Sequence, residues 1–274
     1  MLVFYLGGAG TASPRSAVQD SVLGVRAFAA DSGMFHVGEE LIYNASYAFI
    51  DIGQIRVKVL DKVTTGETSY YRTIAYIDSY SGVPFVNLHS IYESNIRDDV
   101  VSLWFRSREE NDSQWAYTVY DFRYDERRLV IQKGIWGSRK IDSMDTLSVD
   151  TLQQDGLSLY YLARQHLRSG QILHVPIVVK EKSVSTDINF YNKRTSAQIG
   201  AVKYPVDVIE FDGTARFIGL YGLTGDFQGW FSNDEARIPI VARMKVIIGS
   251  IKLELMKWKR DGWDPPRYVE STSK

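Results

Sequence analysis

The chain has 274 residues, 45% hydrophobic and 24% charged, enough apolar material for a sizeable core, which excludes a chain disordered throughout. A formal net charge of -1, with basic residues dispersed along the chain, provides no field to gather phosphate backbones, so nucleic acid is not an expected partner. The absence of cysteine excludes disulfides, thiolate metal sites, thiol nucleophiles and a lipidated cysteine anchor.

The opening MLVFYLGGAGTAS has the apolar core and trailing small residues of a secretory signal, although no Lys or Arg precedes it. A second small-residue site, Ala27, Phe28 and Ala29, ends a stretch holding Asp20 and Arg26, charges that suit an apolar signal region poorly. Residues 1–34 are read as a signal-like leader. The protein is expected to be exported, periplasmic or associated with the cell envelope. No run approaches the roughly 18 apolar residues that a spanning helix needs.

From Phe35 the alternation of apolar and polar residues predicts a single β-rich domain over residues 35–258. In FHVGEELIYNASYAFIDIGQIRVKVLDK, Tyr43, Ala45, Tyr47 and Phe49 share one strand face, and Ile55, Val57 and Val59 share a face of the next. Asp51, Ile52 and Gly53 are assigned the reversal between them, because Gly53 tolerates the positive φ of a tight hairpin. Further strands are expected at 69–77, 101–108, 115–124 and 129–133, separated by SGVP, REENDS and YDERR. Glu109, Glu110, Asp125 and Glu126 lack the spacing of a calcium loop and are read as solvated turn residues.

One helix is expected, at about 157–168 in DGLSLYYLARQHLRSGQ. Leu159, Leu162, Ala163 and His166 follow its period, Asp155 caps its start and Gly170 ends it. Tyr160 and Tyr161 lie beside that face, as core residues or as ligand contacts. Strands resume at 172–180, 187–191, 198–211 and 215–220, and a hairpin, GWFSNDEARIPIVARMKVIIGSIKLELMKW, closes the domain. Gly213, Gly219, Gly222, Gly225 and Gly229 are expected at turns, bulges or close backbone approaches. Residues 259–274 form a Pro-bearing tail expected to be loosely docked or disordered. The fold class is therefore all-β and mainly antiparallel, a curved or partly open barrel or meander with one inserted helix.

Chemistry is sparse. His36, His89, His166 and His174 form no HxH or HExxH pair, and no GxSxG elbow or SxxK pair occurs, so no catalytic residue, metal or cofactor is expected. The densest polar cluster is Trp230, Ser232, Asn233, Asp234, Arg237 and Pro239. Two readings of it stay open: a structural staple in which Asp234 and Arg237 brace Trp230, or a cleft where Trp230 and Arg237 meet a sugar or lipid headgroup, Tyr160 on the helix being a separate candidate contact.

The GEELIY strand, the LSLYYLAR helix followed by Gly, and the WFSNDEARIP turn before a Gly-broken hairpin occur in one order over about 35–258. Together they resemble a bacterial exported-protein family, domain of unknown function DUF3108. The resemblance implies an envelope location and a YmcC-like β fold, a curved or partly open barrel. It implies no activity and no catalytic residues. The expected function is non-enzymatic: an envelope protein that holds a lipid or glycan ligand, or an assembly partner, on a concave face lined by some of its 17 Tyr and 6 Trp. The alternatives are a scaffolding module and a hydrolase of envelope polymers. Oligomeric state is not legible in the chain.

Overall fold

The computed structural model describes residues 34–66, 68–83, 87–217, 223–246 and 249–270. The leader expected over residues 1–34 lies outside them, save Met34. Period-two alternation is strong enough to extend most predicted runs into long strands: β1 (Glu40–Tyr47), β2 (Ile50–Thr65), β3 (Thr68–Ser79), β4 (His89–Arg97), β5 (Ser102–Asn111), β6 (Gln114–Arg123), β7 (Arg128–Ile135) and β8 (Ile141–Ser148). The helix α1 (Ser158–His166) follows, then β9 (Ile172–Val179), β10 (Lys182–Ala197), β11 (Val206–Ala215), β12 (Leu223–Ser232), β13 (Pro239–Val246) and β14 (Ser250–Lys259).

All fourteen strands form one antiparallel sheet in the order β8-β7-β6-β5-β4-β3-β2-β1-β14-β13-β12-β11-β10-β9. The first and last strands are therefore neighbours in the middle, with Glu40 opposite Lys259 and Tyr47 opposite Ile251. The free edges are β8 and β9, and the sheet curls until they approach without joining. Between them the Gln154 N–H donates to the Pro176 carbonyl, and the Val178 N–H to the Gln154 carbonyl, both at 2.9 Å. Ser183 donates to the Gln153 side chain at 3.1 Å. At the β9–β10 turn, the Glu181 N–H donates to the Tyr120 hydroxyl at 3.4 Å and its carboxylate pairs with Lys133. Tyr120, Leu129 and Ile131 are buried, and Lys133 shares the parity of the last two, so this turn tucks against the inner face of β6 and β7. The architecture is thus a partly open barrel closed by side chains and one isolated bridge.

The first reversal falls elsewhere than at Asp51–Gly53. Ala48 and Phe49, with φ of 46° and 69°, make it, and Ile50 already belongs to β2. Gly53 lies within the strand, where a Cβ would stand 2.4 Å from the Asp78 carbonyl oxygen. Its lack of a side chain serves close strand approach, and the turn is made by residues with no sequence signal for one.

The helix closes one end of the barrel. Asp155 is fully buried, and its carboxylate accepts the Leu157 and Ser158 N–H groups at 2.6 and 2.9 Å and the Ser94 and Ser102 hydroxyls at 2.7 and 2.5 Å. The cap thereby ties the helix start to β4 and β5. Gly170, at φ +65°, ends the segment. Tyr161 and Leu167 are fully buried, and Phe35 is sandwiched between Tyr161 and Tyr71 with ring centroids 4.6 and 4.2 Å away. Arg164, also fully buried, donates to Glu39 at 2.7 and 3.2 Å, to the Met34 carbonyl at 3.1 Å and to the Ala236 carbonyl at 2.8 Å. Arg260 reaches the same Glu39 at 2.5 Å. These anchors precede β1, follow β14 or join β12 to β13, and all stand at the same end of the sheet.

The tail, expected to be loose, is docked through residue 270. The Trp263 indole donates to Asp234 at 2.7 Å, Trp258 donates to Asp264 at 3.1 Å, and the backbone bonds Asp207 to Pro266 and Tyr268 to Pro205 at 2.7 and 2.8 Å. Among the described residues no helix is long and apolar enough to cross a membrane.

Candidate functional site

The inward parity of the strands is unusually rich in small residues at mid-height. Ala45 on β1, Ala75 on β3 and Ala242 on β13 face a space that larger residues would fill, and Gly53 on β2 and Gly229 on β12 also stand on its wall. The result is a cavity of about 480 Å³ between the concave face of the sheet and the helix. Its volume lies within the roughly 300–1,000 Å³ typical of small-ligand sites.

Its walls are hydrocarbon and aromatic: Ile55 and Val57, Ile77, Phe105, Ile188, Phe211, Phe231, Val241 and Leu253. The glycines shape them. A Cβ at Gly229 would stand 2.3 Å from the Phe211 ring, and one at Gly213 2.3 Å from the Phe227 ring, so both rings lie directly on backbone. Phe211 meets Phe231 edge-on at 4.7 Å and packs on Phe190 at 5.4 Å. These two glycines are the close approaches expected from the sequence. Gly219 and Gly222 lie outside the described residues, and Gly225 takes a φ of +70°.

Leu159, Tyr160 and Ala163 of the helix form the floor. There the Tyr43 and Tyr160 hydroxyls bond each other at 3.1 Å. Burial raises both phenols, Tyr160 to about 12, so they stay neutral. Tyr120, on the wall, is likewise raised to about 12, chiefly by burial. The opposite end of the cavity reaches solvent, because Asp226 and Lys245, which line it, are both largely exposed and pair at 2.5 Å.

One carboxyl group faces inward along the wall. Glu109 continues the parity of Phe105 and Ser107 on β5, accepts the Tyr92 hydroxyl at 3.4 Å, and has its pKa raised by burial, with the Lys180 charge opposing. The reading of Glu109 as a solvated turn residue is corrected: β5 extends to Asn111. The alternation Phe105, Ser107, Glu109 was the available signal, obscured by the charged run beside it.

Of the five residues expected to touch a ligand, Trp230, Ser232, Asp234, Arg237 and Tyr160, only Tyr160 lines the cavity. Ser232 and Asp234 lie at the helix end of the barrel and form an internal staple. The Ser232 hydroxyl donates to Asp234 at 2.8 Å and accepts the Ile238 N–H at 2.7 Å, while Asp234 accepts the Ala236 and Arg237 N–H groups at 3.0 Å each. Arg237 turns to the helix and donates to the Arg164 and Gln165 carbonyls at 3.4 and 3.1 Å. Trp230 lies on the other face of β12 from Gly229 and Phe231, with Arg243 5.5 Å over its ring. The indole that Asp234 braces is therefore Trp263. The histidines are scattered, and no group of three or more metal-ligating side chains occurs among the described residues.

No curated protein matches the chain. A crystal structure described as a beta-barrel-like protein of domain of unknown function DUF1849, from Brucella abortus, aligns with a TM-score of 0.52 at 12% identity. The alignment covers 82% of this chain and 98% of that one. At such identity the likeness concerns the fold. The family described as protein of unknown function (DUF3108) matches residues 42–256, which span β1 nearly to the end of β14. The chain belongs to this family.

Proposed function

We propose that this protein binds an apolar or amphipathic ligand, lipid in class, in the cavity between the curved sheet and its helix. The observation that carries the reading is the unfilled 480 Å³ space whose deep walls are aliphatic and aromatic. A core of this size ordinarily closes on itself, since interiors pack densely. Here Gly and Ala occupy several inward positions on neighbouring strands. A hydrocarbon chain matches such walls, whereas a glycan needs a dense set of polar partners that these walls lack. An exported, envelope-associated setting belongs to the same proposal, supported by the signal-like leader.

The test is titration of delipidated protein with a fluorescent fatty-acid probe, alongside native mass spectrometry of protein purified without detergent. Saturable binding is expected, weakened at least tenfold by Ala45→Leu combined with Ala75→Leu, which fill the cavity while circular dichroism stays unchanged. Absence of saturable binding by the parent protein sinks the proposal.

A further inference from the structure

The open end of the barrel carries a feature that packing does not explain. Ala48 and Phe49 form the β1–β2 turn with φ of 46° and 69°, conformations that favour Gly, Asn or Asp. The Phe49 ring is fully exposed and Ile50 beside it is 62% exposed. Two other hairpin turns at this end use the same pair of positive φ values, at Asp112–Ser113 and Lys180–Glu181, and both are polar. The β1–β2 tip is therefore apolar where these two turns are polar.

The tip is also held in place. The Asn44 amide donates to Asp51 at 2.5 Å, the Tyr80 hydroxyl donates to Asn44 at 3.0 Å, and the Tyr80 N–H donates to the Ile52 carbonyl at 3.0 Å. Its two strands line the cavity at Ala45 and Ile52, so the tip is a continuation of the mouth. Trp136 and Ile141, at the same end of β7 and β8, are 45% and 44% exposed. Ion pairs stand at this end, Asp226 with Lys245 and Glu181 with Lys133.

We infer that the Ala48–Ile50 tip inserts into a phospholipid bilayer, setting the cavity mouth against the membrane surface. A rigid apolar point beside paired charges suits shallow insertion at the boundary between headgroups and acyl chains, with Trp136 at the interface. The inference rests on the lipid-binding reading of the cavity, since it names the surface from which that ligand enters.

The test is vesicle flotation of the full chain with phosphatidylcholine liposomes, with and without phosphatidylglycerol, comparing the parent with Phe49→Gly/Ile50→Thr. Both replacements suit the local backbone, so the fold is kept. Binding of the soluble fluorescent fatty-acid probe is measured in parallel. Expected are reversible flotation that changes less than twofold with anionic lipid or salt, a loss of at least fivefold in the variant, and unchanged probe binding. No flotation of the parent, equal flotation of the variant, or capture only by anionic vesicles at low salt overturns the inference. Tip-dependent flotation without probe binding supports the docking and overturns the cavity reading alone.

Discussion

Arg164 on the helix and Glu39 ahead of β1 form a bidentate ion pair, 2.7 and 3.2 Å, in which neither side chain meets water. Arg260 shares the carboxylate, so one acid pairs with two guanidinium groups. Such a cluster adds less net stability than its Coulomb attraction suggests, yet removing one member strands the others in a medium that cannot solvate them. Glu39→Ala is expected to cost about 3–5 kcal/mol in urea denaturation. It should also abolish fatty-acid probe binding, because Leu159, Tyr160 and Ala163 ride on that helix. A variant within 1 kcal/mol of the parent would show that the pair does not hold the helix.

His166, on the same helix, gives the fold an acid-sensitive element. Burial, with the Arg237 charge adding to it, lowers its pKa from 6.5 to about 4. Above pH 6.5 the ring is neutral whether the chain is folded or not, and it contributes nothing to pH dependence. As pH falls towards 4 the unfolded chain takes up a proton that the folded protein refuses, and stability drops by about 3 kcal/mol. Urea midpoints at pH 7.5 and 4.5 should separate less in His166→Gln than in the parent. Parallel behaviour of the two would refute the assignment.

Glu109 predicts a pH dependence of binding. Its burial-raised pKa means that the neutral acid forms at higher pH than for an exposed glutamate, and a neutral acid tolerates an adjacent hydrocarbon chain better than a carboxylate does. Affinity for the fatty probe should rise as pH falls through this titration, and Glu109→Gln should bind more tightly at pH 8 with the dependence flattened. Comparing the parent with the variant separates this effect from titration of the probe's own carboxyl group. An unchanged slope in the variant would rule out the role given to Glu109.

Most strands, the helix and the antiparallel class were legible because their signals are local, whereas β4 and β8 were not read from the sequence. Val57 and Val59 alternate with Arg56 and Lys58, and Leu162 and Ala163 fall on the helix face predicted for them. The turn at Ala48–Phe49 was not legible, since no residue there favours positive φ and the nearby Gly53 offered a better signal for a different job. The cavity was less legible still. Its space depends on small residues such as Ala45 and Ala75, and the absence of bulk becomes visible only when strands distant in sequence face one another. Ser232, Asp234 and Arg237 drew notice because polar side chains are dense there, but they serve the closed end of the barrel.

Every ladder of the sheet except one joins strands consecutive in the chain; the exception pairs β1 with β14. The two meanders, β1–β8 and β9–β14, can therefore assemble from short-range contacts, while the pairing of Glu40 with Lys259 closes a loop of nearly the whole described chain. Such closure carries the largest entropic cost and is the slowest contact to find. A chain emerging from synthesis or from a translocation pore has a complete β1 with one side unpaired until its final strand arrives. The cavity, whose walls draw on both meanders, comes into being only at that last step.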